Sequence, residues 1–208
     1  MADYVGSLER IWTSRRLSNR GDFEIELEQR LGARLGAPNL SLTGNGTLAL
    51  ILACRALDLT GEVITTPFTF PATPHSLLWS GSRPVFAEID PDTLTLDPRA
   101  VERAITPATT GILGVHVYGM PCDVERLGDI AVRHDLRVVY DAAHAFGTTL
   151  DGAPIASFGD AIVFSFHATK LFHTIEGGAV ASRTSTRRGW TSCEILVSRT
   201  SEPSSSRG

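Results

Sequence analysis

Lys170 is the only lysine of the chain, and the other eighteen of its nineteen basic residues are arginines. A lysine amine, unlike a guanidinium, can lose its proton and condense with a carbonyl, so lysine is the side chain for Schiff-base chemistry. A lysine taken at random is a solvated surface residue. Here, however, an apolar run at residues 161–166 leads almost directly into it. We therefore predict that Lys170 is a catalytic amine.

Residues 44–47, Gly-Asn-Gly-Thr, precede a predicted helix and are candidates for binding a phosphate. Small residues let backbone N–H groups and a hydroxyl approach an anion at the positive end of a helix dipole. Glycine and asparagine are also common before helices simply as turn formers. The segment lacks the third glycine of a dinucleotide fingerprint and the Gly-Lys of a P-loop. Ser165, five residues before Lys170, is a second candidate phosphate ligand.

Phe70 and Asp141 follow two other strand-like runs. The face of Phe70 could stack on a heteroaromatic ring, although core packing would also explain an aromatic residue there. Asp141 could cap a helix, or it could hold a pyridine nitrogen protonated, which turns the ring of pyridoxal 5'-phosphate (PLP) into an electron sink. In the order in which they occur with Lys170 and the phosphate ligands, these residues predict a PLP site.

The candidate residues fall at the ends of predicted strands that alternate with helices. Apolar, β-branched runs predict strands at residues 62–65, 84–89, 111–115, 137–140 and 161–166. Helical spacing predicts helices at residues 22–35, 47–57, 71–79, 98–105 and 123–134. This alternation predicts an α/β fold with a mainly parallel sheet and helices on both faces. Ligands of such sheets bind beyond the carboxyl ends of the strands, where Asp141 and Lys170 are expected.

In these motifs the chain resembles the DegT/StrS-type sugar aminotransferases, which are PLP enzymes on the fold-type I aminotransferase scaffold. The resemblance runs from the first predicted helix to Ser182 and is carried by residues 44–47, 66–70, 84–86, 115–119, 141–145 and 165–178. Within the family the chain is most similar to the VioA-type enzymes, which aminate a nucleotide-linked 4-keto-6-deoxyhexose. The resemblance implies an amino acid donor such as glutamate, a role in nucleotide-sugar or surface polysaccharide biosynthesis, and a homodimer.

The resemblance also implies a role for each matching residue. Lys170 would form the Schiff base with the cofactor and then move the substrate proton, and Asp141 would pair with the pyridinium. His144 stands where many members have a glutamine that contacts the cofactor ring or its phenolic oxygen, and an imidazole can make a similar hydrogen bond. The implied phosphate ligands are Gly46, Thr47 and Ser165. The residue implied to stack on the cofactor ring is Phe70. The matching motif at residues 115–119 contains two residues without an assigned role, His116 and Tyr118.

The resemblance divides the chain in two. Residues 1–182 correspond to a PLP-binding large domain, and the small C-terminal domain of the family is missing. Residues 183–208 are rich in Ser, Thr and Arg and are expected to be disordered or frameshifted. An alternative is therefore a catalytically impaired remnant that binds PLP at most. A dehydratase acting on the same sugars is disfavoured, because related dehydratases have a histidine in place of the Schiff-base lysine.

The composition of the chain argues against several classes of function. The net charge of -4 and pI near 5.8 argue against a nucleic-acid surface, which needs clustered basic charge. No run approaches the roughly eighteen apolar residues of a membrane span, and the N-terminus does not resemble a secretion signal, so a cytoplasmic location is expected. Cys54, Cys122 and Cys193 are odd in number and lack CxxC spacing. They predict neither a disulfide framework nor a metal site.

Overall fold

The computed structural model describes residues 2–17 and 20–182, and the predicted tail at residues 183–208 lies outside them. The helices of the described part are α1 (Ala2–Ser14), α2 (Asp22–Leu35), α3 (Gly46–Ala56), α4 (Ala72–Ser80), α5 (Pro98–Ala104) and α6 (Val124–His134). The strands are β1 (Leu40–Thr43), β2 (Glu62–Thr65), β3 (Arg83–Phe86), β4 (Thr109–Val115), β5 (Arg137–Asp141), β6 (Thr149–Leu150), β7 (Ala153–Pro154), β8 (Ala161–Ser165) and β9 (Gly178–Ser182). Strands and helices alternate from β1 to β5, as the sequence predicted.

The main sheet has seven strands in the order β1-β9-β8-β5-β4-β2-β3. All pairs from β3 across to β8 are parallel, whereas β9 runs antiparallel to both β8 and β1. The prediction of a mainly parallel sheet is therefore confirmed. β6 and β7 form a separate two-stranded hairpin.

Helices cover both faces of the sheet. This is seen in the central strands, where successive residues belong to two different hydrophobic clusters. On β2, Val63 belongs to the cluster that contains residues of α3 and α4, while Ile64 belongs to the cluster that contains residues of α2, α5 and α6. Val163 and Ile162 divide in the same way on β8. Each fully buried aliphatic side chain stabilises the fold by about 1.5–3 kcal/mol. These two cores hold the strands in register and so fix where their carboxyl ends lie.

Three strands meet where the candidate phosphate ligands lie. In the sheet register, Gly178 at the start of β9 pairs with Thr43 on one side and with Ser165 on the other. A Cβ on Gly178 would lie 2.6 Å from the carbonyl carbon of Asn45 and 2.7 Å from the backbone nitrogen of Gly46. Only a glycine therefore lets the segment between β1 and α3 pass directly against β9. This close approach brings the start of α3 beside the end of β8.

The structure departs from the sequence prediction at several elements. It contains α1, β1 and β9, which the sequence pattern did not indicate, and the short hairpin of β6 and β7 was also missed. The predicted strand at residues 84–89 ends at Phe86. The chain leaves β2 there: the Ala87 N–H still donates to Thr65, but Ile89 pairs instead with Leu96 in an isolated antiparallel bridge. The predicted helix at residues 22–35 has the observed bounds of α2.

Candidate active site

A cavity of about 680 Å³ lies beyond the carboxyl ends of β2, β4, β5 and β8. All seven residues predicted from the sequence as site residues line it: Gly46, Thr47, Phe70, Asp141, His144, Ser165 and Lys170. The structure therefore brings together residues that are up to 124 positions apart (170 − 46) in the chain. Their roles toward a cofactor stay predictions.

The start of α3 forms one end of the cavity. Asn45 is the N-cap of this helix, and its side-chain oxygen accepts a hydrogen bond of 2.8 Å from the Leu48 N–H. A Cβ on Gly46 would lie 3.0 Å from the Ser165 Cβ and 3.3 Å from its Oγ. The missing side chain of Gly46 thus leaves a hydroxyl and the first N–H groups of a helix facing the same space, with Thr47 adjoining. This is the arrangement that binds phosphate oxygens.

Asp141, the last residue of β5, is a buried carboxylate at the other end of the cavity. Its Oδ1 accepts a hydrogen bond of 3.0 Å from the Ala143 N–H, and its Oδ2 accepts one of 2.8 Å from the Thr73 hydroxyl. Burial raises the pKa of Asp141 above its ordinary value; these hydrogen bonds and then the charges of His144 and Lys170 oppose the rise. The protein therefore holds a carboxylate whose negative charge is poorly solvated.

A chain of hydroxyls leads to this carboxylate. The Thr69 and Thr73 hydroxyls lie 2.8 Å apart. Because Thr73 has one hydroxyl proton and gives it to Asp141, Thr69 must be the donor of the bond between the two threonines. Both hydroxyl dipoles then point their positive ends toward the carboxylate, and such chains strengthen each bond in turn. They stabilise the charged form of Asp141.

Lys170 lies in the turn that follows β8, and its side chain is partly buried. Its backbone N–H donates a hydrogen bond of 2.9 Å to the carbonyl of His167. The His167 Nε2 lies 3.7 Å from a carboxylate oxygen of Glu176, and both of these side chains also line the cavity. Phe70 has 73% of its surface exposed, so the ring is free to receive a partner instead of packing in the core.

His144 and Tyr118 form a further part of the cavity wall. The Tyr118 backbone N–H donates a hydrogen bond of 3.3 Å to the His144 Nδ1, and the two rings are nearly parallel, with centroids 6.0 Å apart. Burial and then the positive charge of Lys170 lower the pKa of His144, which Asp141 opposes. His144 is therefore neutral near pH 7. His116 does not line the cavity, because it is fully buried behind β5 against Tyr140.

Sequence reasoning missed several residues that the structure places at the site. Thr73 holds Asp141, Thr69 holds Thr73, and Asn45 caps α3. Thr69 precedes α4 and Thr73 lies in its first turn, so no helical spacing relates the two. The hydrogen bond from Thr73 to Asp141 spans 68 residues and could not be read from the sequence pattern.

Neither a metal cluster nor a membrane-spanning helix occurs in the part of the chain that the structure describes. Within residues 2–17 and 20–182, no group of three or more His, Cys, Asp and Glu side chains is placed to hold a metal ion. No helix among those same residues is both long enough and apolar enough to cross a bilayer. Cys54 and Cys122 are free and buried.

Known proteins resemble this chain in sequence and structure. The profile of the DegT/DnrJ/EryC1/StrS aminotransferase family matches residues 2–199. The chain is 50% identical over 180 residues to the dTDP-4-amino-4,6-dideoxy-D-glucose transaminase of Shigella dysenteriae, a match that covers 86% of this chain and 49% of that protein. The chain thus spans about half the length of this relative.

Solved structures of related proteins are also similar to this chain. The crystal structure of DesI in the presence of its TDP-sugar product superimposes with a TM-score of 0.85 and 47% identity, over 88% of this chain and 47% of that one. NtdA from Bacillus subtilis with bound cofactor PMP superimposes with a TM-score of 0.81 and 31% identity, over 88% of this chain and 42% of that one. Relatives that carry this cofactor therefore share the fold around the cavity.

Proposed function

Because the chain belongs to the DegT/DnrJ/EryC1/StrS aminotransferase family, we propose that its cavity is the cofactor-binding half of a PLP-dependent transaminase site for a nucleotide-linked 4-keto-6-deoxyhexose. The observation that carries the proposal is the convergence of Lys170, Asp141 and the start of α3 on one cavity. The match to the family profile confirms the resemblance that the motifs indicated. The activity itself is a proposal, since the chain spans about half the length of the relatives.

The residues present fit PLP at each of its functional groups. The N–H groups at the start of α3, the Thr47 hydroxyl and the Ser165 hydroxyl suit a phosphate. The buried Asp141 carboxylate needs a cationic partner, and a protonated pyridine nitrogen supplies one. Phe70 offers an exposed aromatic face to the ring. Lys170 supplies the amine for an aldehyde.

When bound, PLP accepts an amino group from a donor and passes it to a ketone, because its protonated ring stabilises negative charge on the carbon next to the transferred nitrogen. Lys170 would hold the cofactor through its Nζ. The same amine, when not bonded to the cofactor, would serve as the general base and acid that moves a proton at the substrate carbon.

Asp141 would keep the pyridine nitrogen of the cofactor positively charged, as transamination requires. Its two hydrogen bonds, from Thr73 and from the Ala143 N–H, fix the plane of the carboxylate at the end of β5. The Coulomb attraction between a buried carboxylate and a cation is stronger than in water, and a buried carboxylate left without a cationic partner is costly. The Asp141 carboxylate would therefore favour the protonated form of the cofactor's pyridine nitrogen.

The proposed substrate class follows from the chemistry in the relatives' names. A 4-amino-4,6-dideoxyhexose carries nitrogen at C4 and no oxygen at C6, so the transaminase must receive a 4-keto-6-deoxyhexose. The Shigella relative is named for the dTDP-linked sugar, and the DesI structure was determined in the presence of its TDP-sugar product. We propose the same sugar class here, with an amino acid such as glutamate as donor.

The structure also supports a homodimer, which we propose as the functional assembly. Several apolar side chains near the cavity are largely exposed: Phe70 at 73%, Tyr118 at 73%, Leu171 at 88% and Ile175 at 73%. Apolar patches of this kind mark surfaces that bind another protein. Sedimentation equilibrium should give twice the chain mass of 22.4 kDa; a monomer at all concentrations would contradict the proposal.

A turnover assay tests the function. The purified chain is loaded with PLP and incubated with L-glutamate and dTDP-4-keto-6-deoxyglucose, and the products are separated by anion exchange and identified by mass. Formation of 2-oxoglutarate together with an equal amount of the dTDP-aminosugar supports the proposal. Lys170→Ala, which removes the amine but not the cavity, is the matched control. Cofactor binding without either product would instead support a remnant that binds PLP at most.

A further inference from the structure

The hydrogen bond between Tyr118 and His144 determines where the proton of the His144 ring lies. A backbone N–H can only donate, so the His144 Nδ1 that lies 3.3 Å from the Tyr118 nitrogen must present a lone pair. A neutral imidazole has one N–H, which must then be on Nε2. This conclusion needs no assumption about a ligand.

The Tyr118 backbone is held in an uncommon conformation to make this bond. Its φ of 53° and ψ of 19° lie in the left-handed region, which a bulky side chain disfavours. Gly119 follows with φ of 83°, and its N–H donates to the His116 carbonyl at 3.2 Å. Strain of this kind persists only where the surroundings fix it. Something must therefore hold the loop of residues 116–122 closed.

His116 supplies that constraint. Its Nδ1 accepts a hydrogen bond of 3.0 Å from the Cys122 N–H, which joins the two ends of the loop. Its ring stacks on Tyr140 with centroids 4.6 Å apart, and its backbone N–H donates to the Asp141 carbonyl at 2.9 Å. The loop is thereby tied to the strand that carries Asp141. The lowered pKa of His116, about 3, caused by burial, keeps the Nδ1 lone pair available at neutral pH.

We propose that Tyr118 is a positioning residue that holds His144 as the neutral Nε2–H tautomer, in a loop closed by His116, so that His144 can act as a hydrogen-bond donor and not as an acceptor in the cavity. The identity of the acceptor, an electron-rich oxygen of the bound cofactor or substrate, rests on the proposed function. The assignment of the His144 tautomer does not rest on the proposed function. A donor at this position selects for ligand oxygens that carry negative charge or lone pairs.

Long-range ¹H–¹⁵N correlation spectra of the cofactor-free chain, labelled with ¹⁵N-histidine, test the tautomer directly. The His144 signals, assigned by their loss in His144→Gln, are expected to show a pyridine-like Nδ1 and a pyrrole-like Nε2 near pH 7. Free ¹⁵N-histidine in the same buffer is the reference for averaged signals. Averaged signals for His144, or a proton on Nδ1, would overturn the proposal whatever the chain catalyses.

Two substitutions at His116 test the loop. His116→Asn retains an acceptor for the Cys122 N–H and should leave the His144 spectrum unchanged. His116→Phe retains an aromatic ring against Tyr140 but offers no acceptor, so it should give His144 averaged signals. An unchanged His144 spectrum in folded His116→Phe would show that His116 does not fix the loop. If that variant does not fold, the wild-type spectrum still decides the tautomer.

Cofactor binding tests the donor role. His144→Gln keeps an N–H donor and should bind PLP within about threefold of wild type, whereas His144→Leu, of similar reach but without a donor, should bind about tenfold more weakly, as expected for loss of one hydrogen bond. Equal affinities for the two variants would contradict a donor role. Failure of wild type to bind PLP would refute the proposed function but leave the tautomer measurement standing.

Discussion

Gly178→Ala is expected to damage the phosphate end of the cavity without touching a side chain that lines it. A Cβ on Gly178 would lie 2.6 Å from the Asn45 carbonyl carbon and 2.7 Å from the Gly46 nitrogen, and both of these are backbone atoms. No rotamer change relieves such a contact, so the segment leading into α3 must move. The first N–H groups of α3 would then shift away from Ser165.

The expected loss of stability follows from the overlap of the new Cβ with the backbone of Asn45 and Gly46. Adding a methyl group to a packed site commonly destabilises a protein by about 1–3 kcal/mol. Displaced N–H groups would also lose the proposed hydrogen bonds to a phosphate, each worth about 1.5–3 kcal/mol. Gly128→Ala is the matched control, because its new Cβ meets nothing within 4 Å and Gly128 lies inside α6. This change should stabilise the chain by about 0.5–1 kcal/mol.

Urea unfolding of the cofactor-free chain gives the free energy of unfolding of each variant. A PLP titration followed by absorbance gives its affinity for PLP. We expect Gly178→Ala to unfold at lower urea concentration than wild type and to bind PLP at least tenfold more weakly. Gly128→Ala should bind PLP as wild type does. If Gly178→Ala retained wild-type stability and affinity, the account of how β9 positions α3 would be wrong.

Two further substitutions test other parts of the cavity. Burial raises the pKa of Asp141, so the native state holds its proton more tightly than the unfolded state, and stability should fall as pH rises through the interval between the two pKa values. Asp141→Asn should remove that fall in cofactor-free chain, measured by urea unfolding at several pH values, and should weaken PLP binding by about 1.5–3 kcal/mol; an unaltered pH profile would contradict the assignment. Phe70→Ala should weaken PLP binding by about 0.5–1.5 kcal/mol in the same titration, whereas Phe86→Ala, also exposed but on β3 away from the cavity, should leave it unchanged. Equal losses would exclude a stacking role for Phe70.

The fold could be predicted from the sequence where elements are long or strongly apolar. The bounds of α2 and β2 agree with the prediction because each has a clear pattern: helical spacing between an early acidic turn and Gly36, and a short buried aliphatic run. β1 and β9 could not be recognised. Each is short, and β9 consists of small residues. β1 pairs with β9, which lies more than a hundred positions away in the chain, and β9 pairs on its other side with β8.

The site was predictable to the extent that its residues occur at strand ends. Asp141 and Ser165 end β5 and β8, and the rule that ligands bind beyond carboxyl ends brought them into one prediction. Contacts that depend on tertiary packing were not accessible. The bond from Thr73 to Asp141 and the bond from Tyr118 to His144 join separate elements through particular rotamers and a left-handed backbone, and neither leaves a local pattern.

The central claim is that Lys170 binds a vitamin B6 aldehyde in this cavity. The purified chain should be incubated with PLP, reduced with borohydride and digested, and the labelled peptide identified by mass spectrometry. Because the chain has one lysine, the only competing primary amine is the N-terminus, and the two amines lie in different peptides of the digest. We predict a stoichiometric label on Lys170 that is lost in Lys170→Arg and strongly reduced in Asp141→Asn. An unlabelled Lys170, or the same label in urea-unfolded chain at the same PLP concentration, would contradict the claim.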